Sequence, residues 1–317
     1  MKRINNLYTK IYDFDNLLLA DANASKGKSD QYGVIIHNQN KIKNLLQLQE
    51  ILKNKTYKTS AYTTFTIREP KERIVYRLPY FPDRIVHHAV MNILKPIFTS
   101  TFITHTYSCI EGKGIHATAN AVKSALKNTL ETQYCLKLDI KKFYPNIDHS
   151  ILKQLLRKKF KDNDLLLLLD GIIDSADGIP IGNYLSQYFA NYYLTFFDHW
   201  IKEDKAVKYY FRYCDDLVIL SGNKPYLHQL LAEIRTYLAQ NLKLTIKQNY
   251  QIFPVDDRSI DFVGYCFYHS HTLLRKGIKQ NFARMIANNK NKQSIASYNG
   301  WAKHADCKHL LKKLIHD

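Results

Sequence analysis

Residues 208–220 read Lys-Tyr-Tyr-Phe-Arg-Tyr-Cys-Asp-Asp-Leu-Val-Ile-Leu, which sets two adjacent acids between two apolar runs. Flanks this rich in aromatic and β-branched residues favour two short strands. Tyr213–Asp216 is then the tight turn of a hairpin. Two carboxylates at the tip of a buried hairpin repel each other and resist desolvation. Bound cations relieve both problems, and Mg²⁺ prefers carboxylate oxygen. A solvated Asp-Asp turn is the plain alternative.

A second acid stands in a similar setting. Residues 134–148 read Tyr-Cys-Leu-Lys-Leu-Asp-Ile-Lys-Lys-Phe-Tyr-Pro-Asn-Ile-Asp, and Asp139 closes the apolar alternation of Cys135, Leu136 and Leu138. That position predicts a strand end. Carboxylates at 139, 215 and 216, carried on two strands, can hold two divalent metals. Such a pair suits in-line phosphoryl transfer.

The rest of the composition fits a polyanionic partner. The chain has 317 residues with 46 Lys+Arg against 28 Asp+Glu, a net charge of +18. That excess points to nucleic acid first and to an anionic membrane surface second. Tyr (23) and Phe (15) add rings able to stack on bases, although most belong in a core. The 45% hydrophobic content excludes a chain disordered by composition. No apolar run has the length of a membrane span, and no signal peptide is visible. The five cysteines show neither zinc spacing nor a disulfide framework, so a reduced, cytoplasmic setting is expected.

The pattern before the acids alternates in kind. Residues 1–60 read as helices, with the basic loop Ser25–Asp30 as a linker between them. Residues 61–80 read as a β-hairpin whose charged loop carries Lys71 and Arg73; by the residues alone this is a solvated turn. Asp83 is an N-cap candidate for the helix that follows, and His87 and His88 are structural. Phe102–Tyr107 reads as a short strand. Residues 149–170 read as helical with a basic face. Gly182 precedes a long helix running to about Trp200, with Ser186 and Gln187 in its first turns; glycine there permits close backbone approach to a ligand. Leu242–Lys247, Tyr250–Phe253 and Ile260–Tyr268 are strand-like, the last with a turn or bulge at Gly264. From Asn281 onward the chain is basic and helical.

Taken in order, these pieces resemble the reverse transcriptase family of right-hand polymerases over roughly residues 60–275. Tyr213-Cys-Asp-Asp resembles the family's Tyr-x-Asp-Asp box. Asp139-Ile140 with Phe143-Tyr144 resembles its first catalytic motif, and Phe262-Val-Gly264 its primer grip. The finer resemblance is to reverse transcriptases of diversity-generating retroelements. Relatives from group II introns carry Gln-Gly before the 182–187 motif and Ser-Pro within it, whereas this chain reads Ile181-Gly182 and Ser186-Gln187.

The resemblance implies an α+β right-hand polymerase. Residues 1–60 would be an N-terminal helical extension; 61–132 and 149–190 fingers with the fingers–palm helices; 133–148 and 191–270 a palm of antiparallel sheet plus helices; and 271–317 a short helical thumb. It also implies chemistry. Asp139, Asp215 and Asp216 would hold two Mg²⁺ (Mn²⁺ as a substitute), with the Ile140 carbonyl as a further ligand. Lys71 and Arg73 would neutralise the triphosphate of an incoming dNTP. Tyr144 would be a steric gate against a ribose 2′-hydroxyl. Gly182, Ser186 and Gln187 would frame the template–nucleotide pair, Lys247 would protonate pyrophosphate, and Phe262 and Gly264 would grip the primer. The implied partners are an RNA template, a DNA or RNA primer, dNTPs and a small basic pentameric accessory protein, with no membrane, in a bacterial or phage-encoded system. The implied activity is cDNA synthesis, error-prone at template adenines. A defence-associated reverse transcriptase and a non-catalytic, maturase-like RNA-binding scaffold are the competing readings.

Overall fold

The computed structural model of the protein describes residues 3–68, 72–288 and 292–315; Lys71 lies outside them. In chain order the helices and strands begin with α1 (Tyr8–Ile11), α2 (Phe14–Ser25), α3 (Tyr32–Gln39), α4 (Lys41–Lys53), β1 (Thr63–Ile67), β2 (Arg73–Arg77) and α5 (Ile85–Thr99). Next come β3 (Thr106–Tyr107), α6 (Ile115–Leu126), β4 (Tyr134–Asp139), α7 (His149–Lys159), α8 (Asn163–Ile173), α9 (Tyr184–Tyr193) and α10 (Thr195–His199). The chain continues through β5 (Tyr209–Tyr213), β6 (Asp216–Ser221), α11 (Lys224–Leu242), β7 (Gln251–Pro254), β8 (Ile260–Phe262), β9 (Tyr265–Phe267) and β10 (Thr272–Leu274). It ends with α12 (Lys276–Asn288), α13 (Lys292–Ala302) and α14 (Lys308–Ile315). No described helix is long and apolar enough to cross a membrane.

The chain divides into two compact units. The first comprises Met1–Phe102 and Lys142–Phe196. Its centre is α5, apolar along most of its length, which buries Ile85, Val86, Ala89, Val90, Leu94 and Phe98 against α2 and α9. The Phe98 ring meets Phe160 edge-on at 5.9 Å and Tyr192 at 5.1 Å. β1 and β2 form the expected hairpin, in register from Thr63↔Arg77 to Ile67↔Arg73.

Two expectations for this unit are corrected. Asp83 is not an N-cap. It is fully buried, and its carboxylate accepts from Tyr57 Oη at 2.7 Å and Ser60 N at 3.0 Å. The α5 helix begins after Arg84 with no side-chain cap. The helical stretch expected over 149–170 forms as two helices, α7 and α8. Phe160 leaves the helix to bridge Ile4, and Asp162 caps α8 through Leu165 N at 3.1 Å. The basic face of α7 is partly neutralised: Lys153 pairs with Asp174 at 2.5 Å, and Arg157 pairs with Asp170. The helix after Gly182 breaks at Leu194 rather than running on to Trp200.

The second unit comprises Ile103–Lys141 and Phe197–Asp317. Its five-stranded sheet has the order β3-β5-β6-β4-β7. All pairs are antiparallel except β3 with β5. One face packs Tyr107, Val122, Cys135, Phe211, Val218 and Phe253 into a core shared with Phe262 and Tyr265. The strand expected over 102–107 shrinks to Thr106–Tyr107. Leu242–Lys247 contributes a single bridge, Ile140↔Ile246, rather than a strand. A separate three-stranded sheet runs β10-β9-β8.

Candidate active site

Register brings two of the three acids face to face. β4 and β6 pair from Tyr134↔Ser221 to Asp139↔Asp216, so both strands place an acid at the same end of the sheet. β5 and β6 pair up to Tyr213↔Asp216, which leaves Cys214 and Asp215 as a two-residue loop. Cys214 takes φ 54°, the left-handed backbone such a tight loop needs. The loop is tied to β4 by Ile140 N donating to Asp215 O at 3.2 Å. The Ile140 side chain is fully buried, and no described backbone hydrogen bond reaches its carbonyl oxygen.

The electrostatics of this end are unrelieved. Burial, then the charges of Asp139 and Asp216, push the Asp215 carboxyl up from 3.8 to about 6. Lys247 answers part of that charge. Its Nζ lies 2.5 Å from Asp139 Oδ2, and its backbone N donates to Asp139 O at 2.9 Å. The other oxygen, Asp139 Oδ1, is buried with no hydrogen-bond partner. A buried carboxylate oxygen left unsatisfied is costly and fits a position made for a cation. Hard oxygen donors of this kind suit Mg²⁺. As they stand, no three acidic, His or Cys side chains among the described residues close round one point. Lys247 occupies one oxygen of Asp139.

Beneath the loop lies an ionic buttress. Arg212 and Asp198 are both fully buried. Arg212 Nε donates to Asp198 Oδ1 at 2.8 Å and Nη2 to Oδ2 at 2.5 Å. Tyr210 Oη and Thr106 Oγ1 donate to the same carboxylate at 2.6 and 3.2 Å. The remaining arm of Arg212, Nη1, donates to Cys214 O at 3.1 Å and so holds the loop that carries Asp215.

The other expected site residues of this second unit sit in a hairpin. Phe262 and Tyr265 pair across Val263-Gly264, with φ 44° and 86°. Positive φ at both loop residues is the signature of a type I′ turn. Phe262 itself is a core residue at 1% exposure. A Cβ at Gly264 would stand 2.4 Å from the Trp301 ring, so this glycine makes room for packing.

The first unit holds the remaining expected site residues. Arg73 is exposed at the start of β2. Tyr144 opens a short turn, half-buried, its ring edge-on to Phe143 at 5.6 Å. Gly182 has φ 120°, and a Cβ there would stand 2.3 Å from the Tyr76 carbonyl oxygen. The close backbone approach this glycine permits is to β2 of its own chain. Ser186 is buried at 3%, while Gln187 is exposed. Gly182 and Gln187 line a cavity of about 490 Å³ with Lys28, Arg77, Arg84 and His88. No carboxylate lines it. Burial and then mutual repulsion hold the Lys28 and Arg84 side chains below their usual values, with Arg84 acting on Lys28 and Arg77 on Arg84. Burial pushes both His87 and His88 down to about 4, so this part of the wall is neutral. The basic loop at 25–30, expected to be a linker, thus contributes Lys28 to a cationic cavity.

Comparison with known proteins gives this geometry a family. The family model described as reverse transcriptase (RNA-dependent DNA polymerase) matches residues 53–267. The chain belongs to the reverse transcriptase family. Protein YkfC of Escherichia coli is 24% identical over 255 residues, 66% of this chain and 65% of that one. Nuclear intron maturase 4 of Arabidopsis thaliana is 25% identical over 48% of this chain and 20% of its own. The putative COX1/OXI3 intron 2 protein of Saccharomyces cerevisiae is 20% identical over 84% of this chain and 38% of its own. The chain therefore spans less than two thirds of the length of these relatives. Among solved structures, telomerase from Candida albicans, in complex with a fragment of telomeric RNA, superposes with TM-score 0.54 at 10% identity. That match covers 83% of this chain and 58% of the telomerase, and it establishes the right-hand polymerase fold.

Among the residues of this family member that sequence reasoning passed over are Asp198 and Arg212. The signal was present: Arg212 is the one charge in the apolar run Tyr209–Tyr213. An arginine buried in a strand needs a partner, and only the fold reveals Asp198 as that partner.

Proposed function

We propose that the chain is an RNA-directed DNA polymerase that extends a primer 3′-hydroxyl by two-metal nucleotidyl transfer. The single observation that carries this reading is the acid cluster. Asp139 stands in register with Asp216, Asp215 is pushed up between them, and one buried oxygen of Asp139 has no partner. Asp139 and Asp215 would hold two Mg²⁺, with Asp216 and the Ile140 carbonyl in support. Bound there, the metals would lower the pKa of the attacking hydroxyl and neutralise the leaving pyrophosphate.

The chain's own residues supply the rest. Lys247, beside Asp139, would give a proton to pyrophosphate. Arg73 and Lys71 neutralise triphosphate oxygens, and Tyr144 selects against a 2′-hydroxyl. The cationic cavity beside Gly182 and Gln187 takes the phosphates of the RNA template. Phe262 and Gly264 shape the hairpin that grips the primer. Primer extension on an RNA template with Mg²⁺ tests the reading. Asp215→Asn abolishes synthesis if it holds, and retained extension sinks it.

The finer reading is a diversity-generating retroelement enzyme, supported by Gln187 where intron-type relatives carry proline. It implies a basic pentameric accessory protein and substitutions concentrated opposite template adenines. Sequencing cDNA made from a defined RNA tests this. An even error spectrum favours the defence role. The 25% identity to nuclear intron maturases favours a different alternative, a maturase-like RNA-binding scaffold. RNA binding without Mg²⁺-dependent extension would support that scaffold.

A further inference from the structure

The variable residue of the Tyr-x-Asp-Asp box is a cysteine, and it has a thiol neighbour. β3 runs parallel to β5 with Tyr107 opposite Tyr213, so the residues just past each strand end lie side by side. Ser108 and Cys109 follow on one strand, Cys214 on the other. Cys214 Sγ donates to Ser108 Oγ at 2.9 Å, and Ser108 Oγ lies 3.2 Å from Cys109 Sγ. One hydroxyl thus touches both sulfurs. Ser108, Cys109 and Cys214 all take positive φ, 79°, 59° and 54°. Left-handed backbone at non-glycine residues is uncommon and costs energy. Here it turns the two thiols toward each other at the loop that carries Asp215. Both cysteines are partly exposed, whereas Cys135 and Cys307 are buried.

We infer that Cys109 and Cys214 form an oxidation site, closed to a disulfide by peroxide, that switches the metal-binding loop off and is reopened by a dithiol reductant. The chemistry balances in two steps. The Cys109 sulfur attacks hydrogen peroxide, the O–O bond breaks, and water leaves, giving a sulfenic acid at Cys109. The Cys214 sulfur then attacks the Cys109 sulfur, the S–O bond breaks, the S–S bond forms, and the thiol proton leaves with hydroxide as a second water. Both sulfurs are oxidised, and the peroxide is reduced to two waters.

An S–S bond of about 2.05 Å is shorter than any hydrogen-bonded separation of two sulfurs, so Cys214 must move toward Cys109. Its carbonyl is held by Arg212 and the next carbonyl by Ile140 N, so the movement passes directly to Asp215. A displacement of about 1 Å in a catalytic group is worth about 10²-fold in rate.

The test uses the full chain. It is treated with a small excess of hydrogen peroxide, quenched with catalase, then divided between peptide mapping and primer extension with Mg²⁺. The expected result is a linked Cys109–Cys214 peptide pair, extension lowered about tenfold or more, and recovery with dithiothreitol. Cys109→Ser, or Cys109→Ala, should extend normally before treatment and keep that activity after it. Three outcomes overturn the inference: no linked pair in the wild-type chain, a linked chain that extends at full rate, or a Cys109 variant that loses activity as the wild type does. The activity arm rests on the polymerase reading, but the mapping arm does not. A chain that links its cysteines but never extends a primer refutes the polymerase. A chain that extends but never links refutes this site alone.

Discussion

Asp215→Asn should make the metal-free protein more stable while destroying its activity. The folded chain holds the Asp215 carboxyl at about 6 against an ordinary 3.8, chiefly by burial and then by Asp139 and Asp216. A carboxyl raised in this way binds its proton more tightly folded than unfolded. The stability that proton contributes is complete below about pH 4 and is lost as pH rises through about 6. At about 1.4 kcal/mol for each pKa unit, the ionised carboxylate costs the fold up to roughly 3 kcal/mol above that window. Asparagine is close in shape and carries no charge, so it removes the cost. In a chain of this size the gain corresponds to a melting temperature higher by up to about 6 °C. The assay is thermal unfolding of both proteins in EDTA from pH 4 to 8. The difference should be near zero at pH 4 and grow to its full value above pH 6.5. Adding Mg²⁺ should then raise the wild type and leave the variant unmoved. A variant no more stable than wild type at pH 7.5, or a difference that does not change with pH, refutes the electrostatic account of this site.

Three further outcomes follow from named contacts. Arg212→Leu strands the Asp198 charge in the core and should cost about 3–5 kcal/mol by denaturant unfolding, while Arg212→Leu combined with Asp198→Leu recovers most of it. Gly182→Ala drives a Cβ into the Tyr76 carbonyl at φ 120° and should cost about 1–3 kcal/mol, read as a lowered melting temperature. Lys247→Ala should lower the single-turnover extension rate by about 10²-fold with little change in primer–template affinity, and an equal loss in both would assign Lys247 to binding instead.

The sequence is informative where one local rule acts alone. The alternation ending at Asp139 and the apolar runs around Asp215 mark strands because each face of a sheet repeats every second residue. Both strands form where expected, and their ends coincide. Reading fails where a distant partner decides. Asp83 has the chemistry of an N-cap, but Tyr57 and Ser60 claim its carboxylate from another segment. The stretch over 149–170 is helical as expected, but nothing local marks its break at Phe160, which bridges Ile4. Gly182 marks a place of close approach, and within the chain it is the Tyr76 carbonyl that comes close. Lys28 looks like one charge in a linker until the fold sets it beside Arg84 across a cavity.

Two buried ionic arrangements lie back to back at the Cys214–Asp215 loop, and they obey opposite logic. Asp198 receives Arg212, Tyr210 and Thr106, so its charge is met on both oxygens. Asp139 receives only Lys247 on one oxygen and nothing on the other, while Asp215 is forced toward protonation. Like charges this close would push a mobile loop outward into water. The loop stays because Arg212 holds Cys214 O and Ile140 N holds Asp215 O. The satisfied pair therefore restrains the acid cluster. Loosening the buttress should let the acids separate, relax the Asp215 carboxyl toward its ordinary value and weaken the site for a divalent ion, even in a variant that remains folded.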